Sequence, residues 1–296
     1  MVHIPVLKKE VIKYLDPRPG ENFIDGTCGS AGHSSEILKL IGPGGRILCL
    51  DLDKGAIEYL RKKFDREREE NRIILINDNF ANLEKIVRDN NFSPVNGILL
   101  DLGMSSDQLE RSGRGFSFLK DELLDMRFSV HGDLTAETIV NKWPETEIEK
   151  ILKDYGQELF ARGIACQIAK SRKLKQIKTT EELVKIIALG IPRRYQYGRT
   201  NFATRTFQAL RIAVNDELGS LNKFLPQAFN ILITGGRLAV ISFHSLEDRI
   251  VKFFFRAEAQ KGRIEILTKK PIAPSFEEIT LNSRSRSAKL RAIKKL

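Results

Sequence analysis

Along residues 6–101 short apolar runs alternate with amphipathic stretches, and each run is closed by Gly, Asp or Asn. Val6 to Leu15 has helical spacing and is stopped by Pro17, Pro19 and Gly20. Asn22 to Asp25 reads as a strand entering the turn Gly26-Thr27-Cys28-Gly29-Ser30-Ala31-Gly32, after which His33 to Ile41 resumes as helix. Gly42-Pro43-Gly44-Gly45 turns the chain into a second strand, Arg46 to Asp51, followed by a charged helix from Lys54 to about Glu70. A third strand at Ile73 to Ile76, a helix at Ala81 to Asp89 and a fourth strand at Gly97 to Asp101 continue the alternation. Strand and helix in succession predict an α/β fold. Its sheet is doubly wound and mostly parallel, with ligands bound at the carboxyl ends of the strands.

The next apolar strand is Gly235 to Ile241, far beyond the ~30 residues that a crossover unit needs. Helical patterns at Glu145 to Lys153, Leu159 to Arg172, Thr180 to Leu189 and Ala203 to about Leu218 fill the interval, with Thr179 and Asn201 placed to cap the last two. The pattern predicts a helical domain at 111–215, inserted into a discontinuous α/β domain made of 1–110 and 216–296. A helix at Leu246 to Ala259 and strands at Arg263 to Leu267 and Ala288 to Ile293 complete the sheet. In the basic tail Ala288, Leu290 and Ala292 alternate with other residues, which predicts a strand with one solvated face.

The chain is 42% hydrophobic and 29% charged, which excludes a collagen, a disordered tail and a disulfide scaffold. No apolar run reaches the ~18 residues of a membrane span, so a cytoplasmic protein with no membrane partner is expected. Cys28, Cys49 and Cys166 are far apart and lack clustered Cys/His spacing, which predicts reduced thiols and no metal site. Lys and Arg exceed Asp and Glu by 49 to 38, a net charge of +11 that favours a polyanionic partner. The excess is concentrated. From Arg162 to Arg211 there are twelve Lys or Arg against Glu181 and Glu182, a block suited to phosphates.

Candidate chemistry lies at the strand ends. A Gly-rich turn lets backbone approach a ligand, and the helix after it offers free N–H groups. Gly26, Gly29 and Gly32 are spaced G-x-x-G-x-x-G, not as the dinucleotide fingerprint G-x-G-x-x-G, and taken alone they also serve a tight strand-to-helix turn. Asp51, ~20 residues further at the second strand tip, is placed to accept both hydroxyls of a ribose, or else to cap the helix at Lys54. Asp25, Asp51, Asp78 with Phe80, and Asp101 would then line one rim. Such a rim repels a pyrophosphate and suits a cationic ligand. S-adenosylmethionine fits, with its sulfonium and ammonium near carboxylates, its ribose at Asp51 and its adenine against Phe80.

Beyond the rim, His3-Ile4-Pro5-Val6-Leu7, Asp25-Gly26-Thr27 with Ala31-Gly32-His33-Ser34, Leu100-Asp101-Leu102-Gly103-Met104-Ser105-Ser106 and Arg114-Gly115-Phe116-Ser117-Phe118 occur in that order. Leu124-Asp125-Met126-Arg127, Ala203 through Ile212 and Ser242-Phe243-His244-Ser245-Leu246-Glu247-Asp248-Arg249 follow. Together these strings resemble the MraW family of small-subunit ribosomal RNA methyltransferases over nearly the whole chain. The resemblance implies a Rossmann-like S-adenosylmethionine-dependent methyltransferase fold with an inserted helical domain. It also implies methyl transfer to the exocyclic N4 of a cytidine in the decoding region of 16S rRNA, free or in the small subunit, and not to DNA. Cofactor positions implied by it are Ala31, Gly32, His33, Asp51, Phe80, Asp101 and Gln108. Many family members have Gly-Gly-His in the first loop; Ala31 departs from this, and its methyl is tolerated if φ there is negative.

The N4 lone pair of cytosine is delocalised, so alignment and an acceptor for the amino hydrogens matter more than a strong base. Common amino-methyltransferases place Asp/Asn/Ser-Pro-Pro-aromatic after the fourth strand, whereas this chain has Asp101-Leu102-Gly103-Met104. Asp101, a backbone carbonyl and a side chain of the insertion all stay open as the acceptor, and no catalytic base is assigned. Tyr195, Tyr197 and Phe202 interleave with Arg193, Arg194 and Arg199, a pattern for stacking bases beside phosphates or for packing the insertion core. Arg205 and Arg211 fit structural ion pairs as well as RNA, and Trp143 reads as packing. A nicotinamide-dependent oxidoreductase and a non-catalytic RNA-binding module stand as alternatives; the acidic rim speaks against the first.

Overall fold

The computed structural model describes residues 5–104, 109, 112–129, 132–198 and 201–296. Its strands are β1 (Asn22–Asp25), β2 (Arg46–Leu50), β3 (Ile73–Ile76), β4 (Val95–Asp101), β5 (Leu232–Ser242), β6 (Ile264–Ile266) and β7 (Lys289–Lys295). Its helices are α1 (Lys8–Leu15), α2 (Gly32–Ile41), α3 (Lys54–Lys63), α4 (Asp65–Glu69), α5 (Leu83–Asp89), α6 (Ala136–Lys142), α7 (Glu145–Asp154), α8 (Ala161–Leu174), α9 (Thr180–Leu189), α10 (Thr204–Asn215), α11 (Glu217–Ile231), α12 (Ser245–Gln260) and α13 (Phe276–Leu281). The chain divides into two compact units, Met1–Gly103 with Leu218–Leu296, and Met104–Glu217.

The first unit holds a seven-stranded sheet in the order β3-β2-β1-β4-β5-β7-β6. Strands β1 to β5 run parallel, and β7 is antiparallel to both β5 and β6. Successive residues of a strand face opposite sides. Phe23, Ile47, Cys49, Leu99, Ala239 and Ile241 therefore join a core with residues of α1, α2 and α3, while Ile24, Leu48, Leu50, Ile98, Leu100 and Val240 join another with residues of α5, α11 and α12. Close packing dictates Gly97 on β4, because a Cβ there would run into the Phe23 ring. The result is a mostly parallel α/β sheet with a helical insertion between β4 and β5.

That insertion, the second unit, closes around its own core, in which Ile139, Leu152, Ile164, Ile168, Leu183 and Leu210 are fully buried. Thr179 caps α9 as the sequence predicts, in a reciprocal capping box with Glu182. Asn201 instead turns the chain one step earlier: its side chain accepts from the Ala203 N–H at 2.9 Å, and α10 starts at Thr204.

Several elements differ from the sequence pattern. The long helix from Lys54 breaks at Phe64, whose ring is buried in the core, leaving α3 and α4 as separate pieces. The helix from Ala203 stops at Asn215 because Asp216 is left-handed, with φ 46. It is followed by α11, which was not anticipated and which carries Pro226 in its interior. Short α6 and α13 were not anticipated. The basic tail has no solvated face over Leu290, Arg291, Ala292 and Ile293: Leu290 and Ala292 join the core shared with α1 and α2, Ile293 joins the core shared with α11 and α12, and Arg291 Nε is neutralised by Asp248 Oδ1 at 2.6 Å. Among the described residues, no helix is long and apolar enough to cross a membrane.

Candidate functional site

Because β1 lies between β2 and β4, the turn after β1 is hydrogen-bonded to the ends of both neighbours. Its Gly26 N–H donates to the Leu99 carbonyl and its Cys28 N–H to the Leu50 carbonyl, each at 2.9 Å. The Thr27 hydroxyl accepts from the Asp101 N–H at 2.7 Å, and the Gly29 N–H donates to Asp51 Oδ2 at 2.8 Å. Lys63 Nζ donates to the Ser30 carbonyl at 2.9 Å, tying the turn to the end of α3. Asn77 Nδ2 bridges the carbonyls of Asp51 and Leu52 at 2.8 and 3.0 Å, which joins the tip of β3 to that of β2.

The three acids at these tips do different things. Asp25 faces inward, 2% exposed, with Oδ2 accepting from the Ser34 hydroxyl at 2.5 Å and Oδ1 from the Thr27 N–H at 3.2 Å. Burial raises its pKa, opposed by the Ser34 hydroxyl and by His33. The expected rim position of Asp25 is thus corrected: it braces the turn from below. Asp51 accepts one N–H on each oxygen, from Gly29 on Oδ2 and from Asp53 on Oδ1, which leaves lone pairs on both oxygens for further donors. Burial pushes its pKa up to about 6, against the pull of those two N–H groups. The capping role belongs to Asp53, whose side chain accepts from the Gly55 N–H at the start of α3. Asp101 accepts from the Gly103 N–H on Oδ1 at 3.0 Å, and its Oδ2 lies 3.6 Å from His33 Nε2.

His33 is 6% exposed, and among the described residues neither ring nitrogen has a hydrogen-bond partner. Unpaired polar atoms at such depth are costly unless a ligand or water meets them. Next to it, α2 begins without a side-chain cap. Its first N–H groups are open to an acceptor. Ala31, which precedes them, has φ 59, so the condition of negative φ is not met. The alanine is held in the left-handed region at a cost of about 1–2 kcal/mol, with its methyl fully buried. A Cβ on Gly32 would press on Pro5 at 3.0 Å.

At the third tip Asp78 is engaged locally, accepting from the Asn79 N–H and Asn82 Nδ2 at 2.6 and 2.8 Å. Phe80 is half-buried, set edge-on to Phe224 at 5.4 Å, with its Cβ 3.6 Å from where a Cβ on Gly26 would stand. The structure therefore gathers Ala31, Gly32, His33, Asp51, Phe80 and Asp101 around one turn. Gln108 lies outside the described residues. Sequence reasoning missed Thr27, Ser34, Lys63 and Asn77. Thr27 and Ser34 stood in the motifs already quoted, but only the strand order shows what they bond to.

In the helical unit Arg193, Arg194, Tyr195 and Tyr197 are exposed on the turn Arg193–Tyr195 and just after it. Tyr195 is backed by Phe160 at 4.7 Å and covered by the Arg194 guanidinium at 5.1 Å, while Tyr197 is 77% exposed. Phe202 packs against the helical core and Arg199 lies outside the described residues. Arg211 forms a two-pronged ion pair with Glu217 at 2.7 and 2.8 Å, and Arg205 donates to the Gln157 carbonyl, so both serve the unit's own structure. Trp143 packs against the same core.

Residues 1–296 match the model of the MraW methylase family. Over 310 residues the chain is 44% identical to the "Ribosomal RNA small subunit methyltransferase H" of Heliobacterium modesticaldum, covering 99% of this chain and 98% of that protein. The protein of the same name from Acetivibrio thermocellus is 45% identical over 309 residues, covering 99% of both chains. Among solved structures, an rRNA methylase from Streptococcus thermophilus aligns with a TM-score of 0.45 at 10% identity, covering 100% of this chain and 99% of that one.

Proposed function

The chain belongs to the MraW methylase family, and from that premise we propose that it methylates small-subunit ribosomal RNA with S-adenosylmethionine, at the exocyclic N4 of a cytidine in the decoding region of 16S rRNA. The observation that carries the reading is the set of unsatisfied groups around the β1 turn among the described residues: the spare lone pairs of Asp51, the uncapped start of α2 and the ring nitrogens of His33, which have no hydrogen-bond partner there. The group fits them. When bound, S-adenosylmethionine supplies a methyl group on a cationic sulfur.

Asp51 would accept the two ribose hydroxyls on the lone pairs that Gly29 and Asp53 leave free. Phe80, fixed edge-on by Phe224, offers an aromatic wall for the adenine. His33 and the start of α2 would meet polar groups of the amino-acid end, and Asp101 adds a negative charge where that end is cationic. Together these residues bind and orient. The amine loses its proton late as the methyl arrives, so orientation outweighs a strong base, and no residue is assigned that role. The helical unit would meet the RNA with the exposed Arg193, Arg194, Tyr195 and Tyr197.

Incubating the protein with tritiated methyl donor and unmodified small subunits, followed by nucleoside mass spectrometry, tests this. N4-methylcytidine is expected; label on another base, or none, overturns the reading.

A further inference from the structure

The turn after β4 reads Asp101-Leu102-Gly103-Met104, without the aromatic residue that common amino-methyltransferases carry there. An aromatic ring reaches the same place from the neighbouring strand. β5 runs parallel beside β4, with Asp101 opposite Ile241 and the Leu102 N–H donating to the Ile241 carbonyl at 2.9 Å. Phe243, just past the end of β5, therefore emerges beside the β4 turn. A Cβ at position 103 would stand 2.9 Å from Cε2 and Cζ of Phe243 and 3.0 Å from Oδ1 of Asp101. Glycine at 103 is what lets ring, backbone and carboxylate share that space.

The ring is held firmly. Its backbone N–H donates to Glu247 Oε2 at 2.8 Å, and the same oxygen accepts from the His244 N–H at 3.2 Å. Glu247 is 2% exposed, and His244 caps α12 by accepting from the Glu247 N–H on Nδ1. This reciprocal capping box fixes Phe243 where strand becomes helix. One side of the ring packs on the sheet core, yet Phe243 is only half-buried.

We propose that Phe243 is the ring on which the target cytosine stacks, supplying in space the aromatic face that the β4 turn lacks in sequence. The proposal rests on the methyl-transfer reading above. A base stacked there is presented beside Asp101, the carboxylate at the tip of β4. Stacking needs a π face and little else, so Tyr or Trp can replace Phe, whereas Leu fills the space without serving.

The test uses the full chain. Phe243→Leu should lower kcat/KM for unmodified small subunits by about tenfold to a hundredfold, with the affinity for S-adenosylhomocysteine unchanged and the Tm within a few degrees of the parent's. Phe243→Tyr and Phe243→Trp should restore most of it. In a Trp143→Phe background, Phe243→Trp should also lose fluorescence when RNA is added, a signal independent of methyl transfer. Wild-type kcat/KM in Phe243→Leu, equal losses in all three variants, or no quenching would each overturn the proposal. Quenching in that variant together with no methyl transfer by the parent protein would instead overturn the reading of the reaction.

Discussion

The two units treat polar groups in opposite ways. In the sheet unit, buried Asp25, His33 and Ser34 gather at one turn, where strand ends leave backbone and side chains to be matched. In the helical unit the buried polar groups, Glu158, Thr180 and Thr206, are scattered, and charge lies at the surface or holds the chain together. Arg172 donates to the carbonyls of Val140 and Trp143, Arg205 to that of Gln157, and Arg211 pairs with Glu217. Lys175 and Lys185 pair with Glu182 and Glu181. A count of basic residues therefore overstates the free positive charge of this unit, whereas Asp51 and Asp101 of the sheet unit converge on one turn.

The largest effect that would break this contrast is at Asp51. Asp51→Ala should weaken S-adenosylhomocysteine binding about a hundredfold in calorimetry, from the loss of charge-assisted hydrogen bonds worth ~3 kcal/mol, and leave RNA affinity intact. Equal loss of both ligands would mean that the units do not divide the work.

A smaller effect follows from its pKa of about 6. Hydroxyl donors favour the ionised carboxylate, so affinity should fall about tenfold between pH 7 and pH 5 as Asp51 takes up a proton. In Asp51→Asn that dependence should vanish. Without ligand the sign reverses: a carboxyl raised above its ordinary value makes the folded protein more stable as pH falls from above 6 towards 4.

On the helical side, Arg193→Ala with Arg194→Ala should reduce the salt slope of RNA binding by about 1.4 if each arginine neutralises one phosphate of a single strand. S-adenosylhomocysteine affinity should stay at the parent value; an unchanged slope would remove this turn from the RNA surface. The smallest effect is expected at Ala31→Gly. Relief of left-handed strain, ~1–2 kcal/mol, is offset by a lost buried methyl at ~0.8 kcal/mol and by added chain entropy, so denaturant unfolding should move by less than about 1 kcal/mol. A loss above about 2 kcal/mol would show that the methyl matters more than the strain.

Much of the site was legible in the sequence because strand tips carry their own punctuation. Asp51 and Asp101 end apolar runs, and Ala31-Gly32-His33 follows a Gly-rich turn. What misled was orientation. Asp25 ends a strand as Asp51 does, yet Ser34 from the first turn of α2 draws it inward. The sign of φ at Ala31 was equally invisible, since an alanine enters the left-handed region only when its surroundings hold it there. Likewise the alternating tail concealed a strand covered on both faces, because coverage depends on the helices packed on either side of the sheet.

The alternation of strand and helix up to β4, the helical insertion and the residues at the strand tips follow from the amino-acid sequence alone, since periodicity and turn chemistry act over a few neighbours in the chain. Which tips touch was decided by the tertiary structure. Placing β1 between β2 and β4 brings Gly29 to Asp51 and Thr27 to Asp101, and placing β5 beside β4 lays Phe243 over Gly103. These contacts join residues up to 140 positions apart. Only the packing of the whole sheet brings such residues together, and no local preference encodes it.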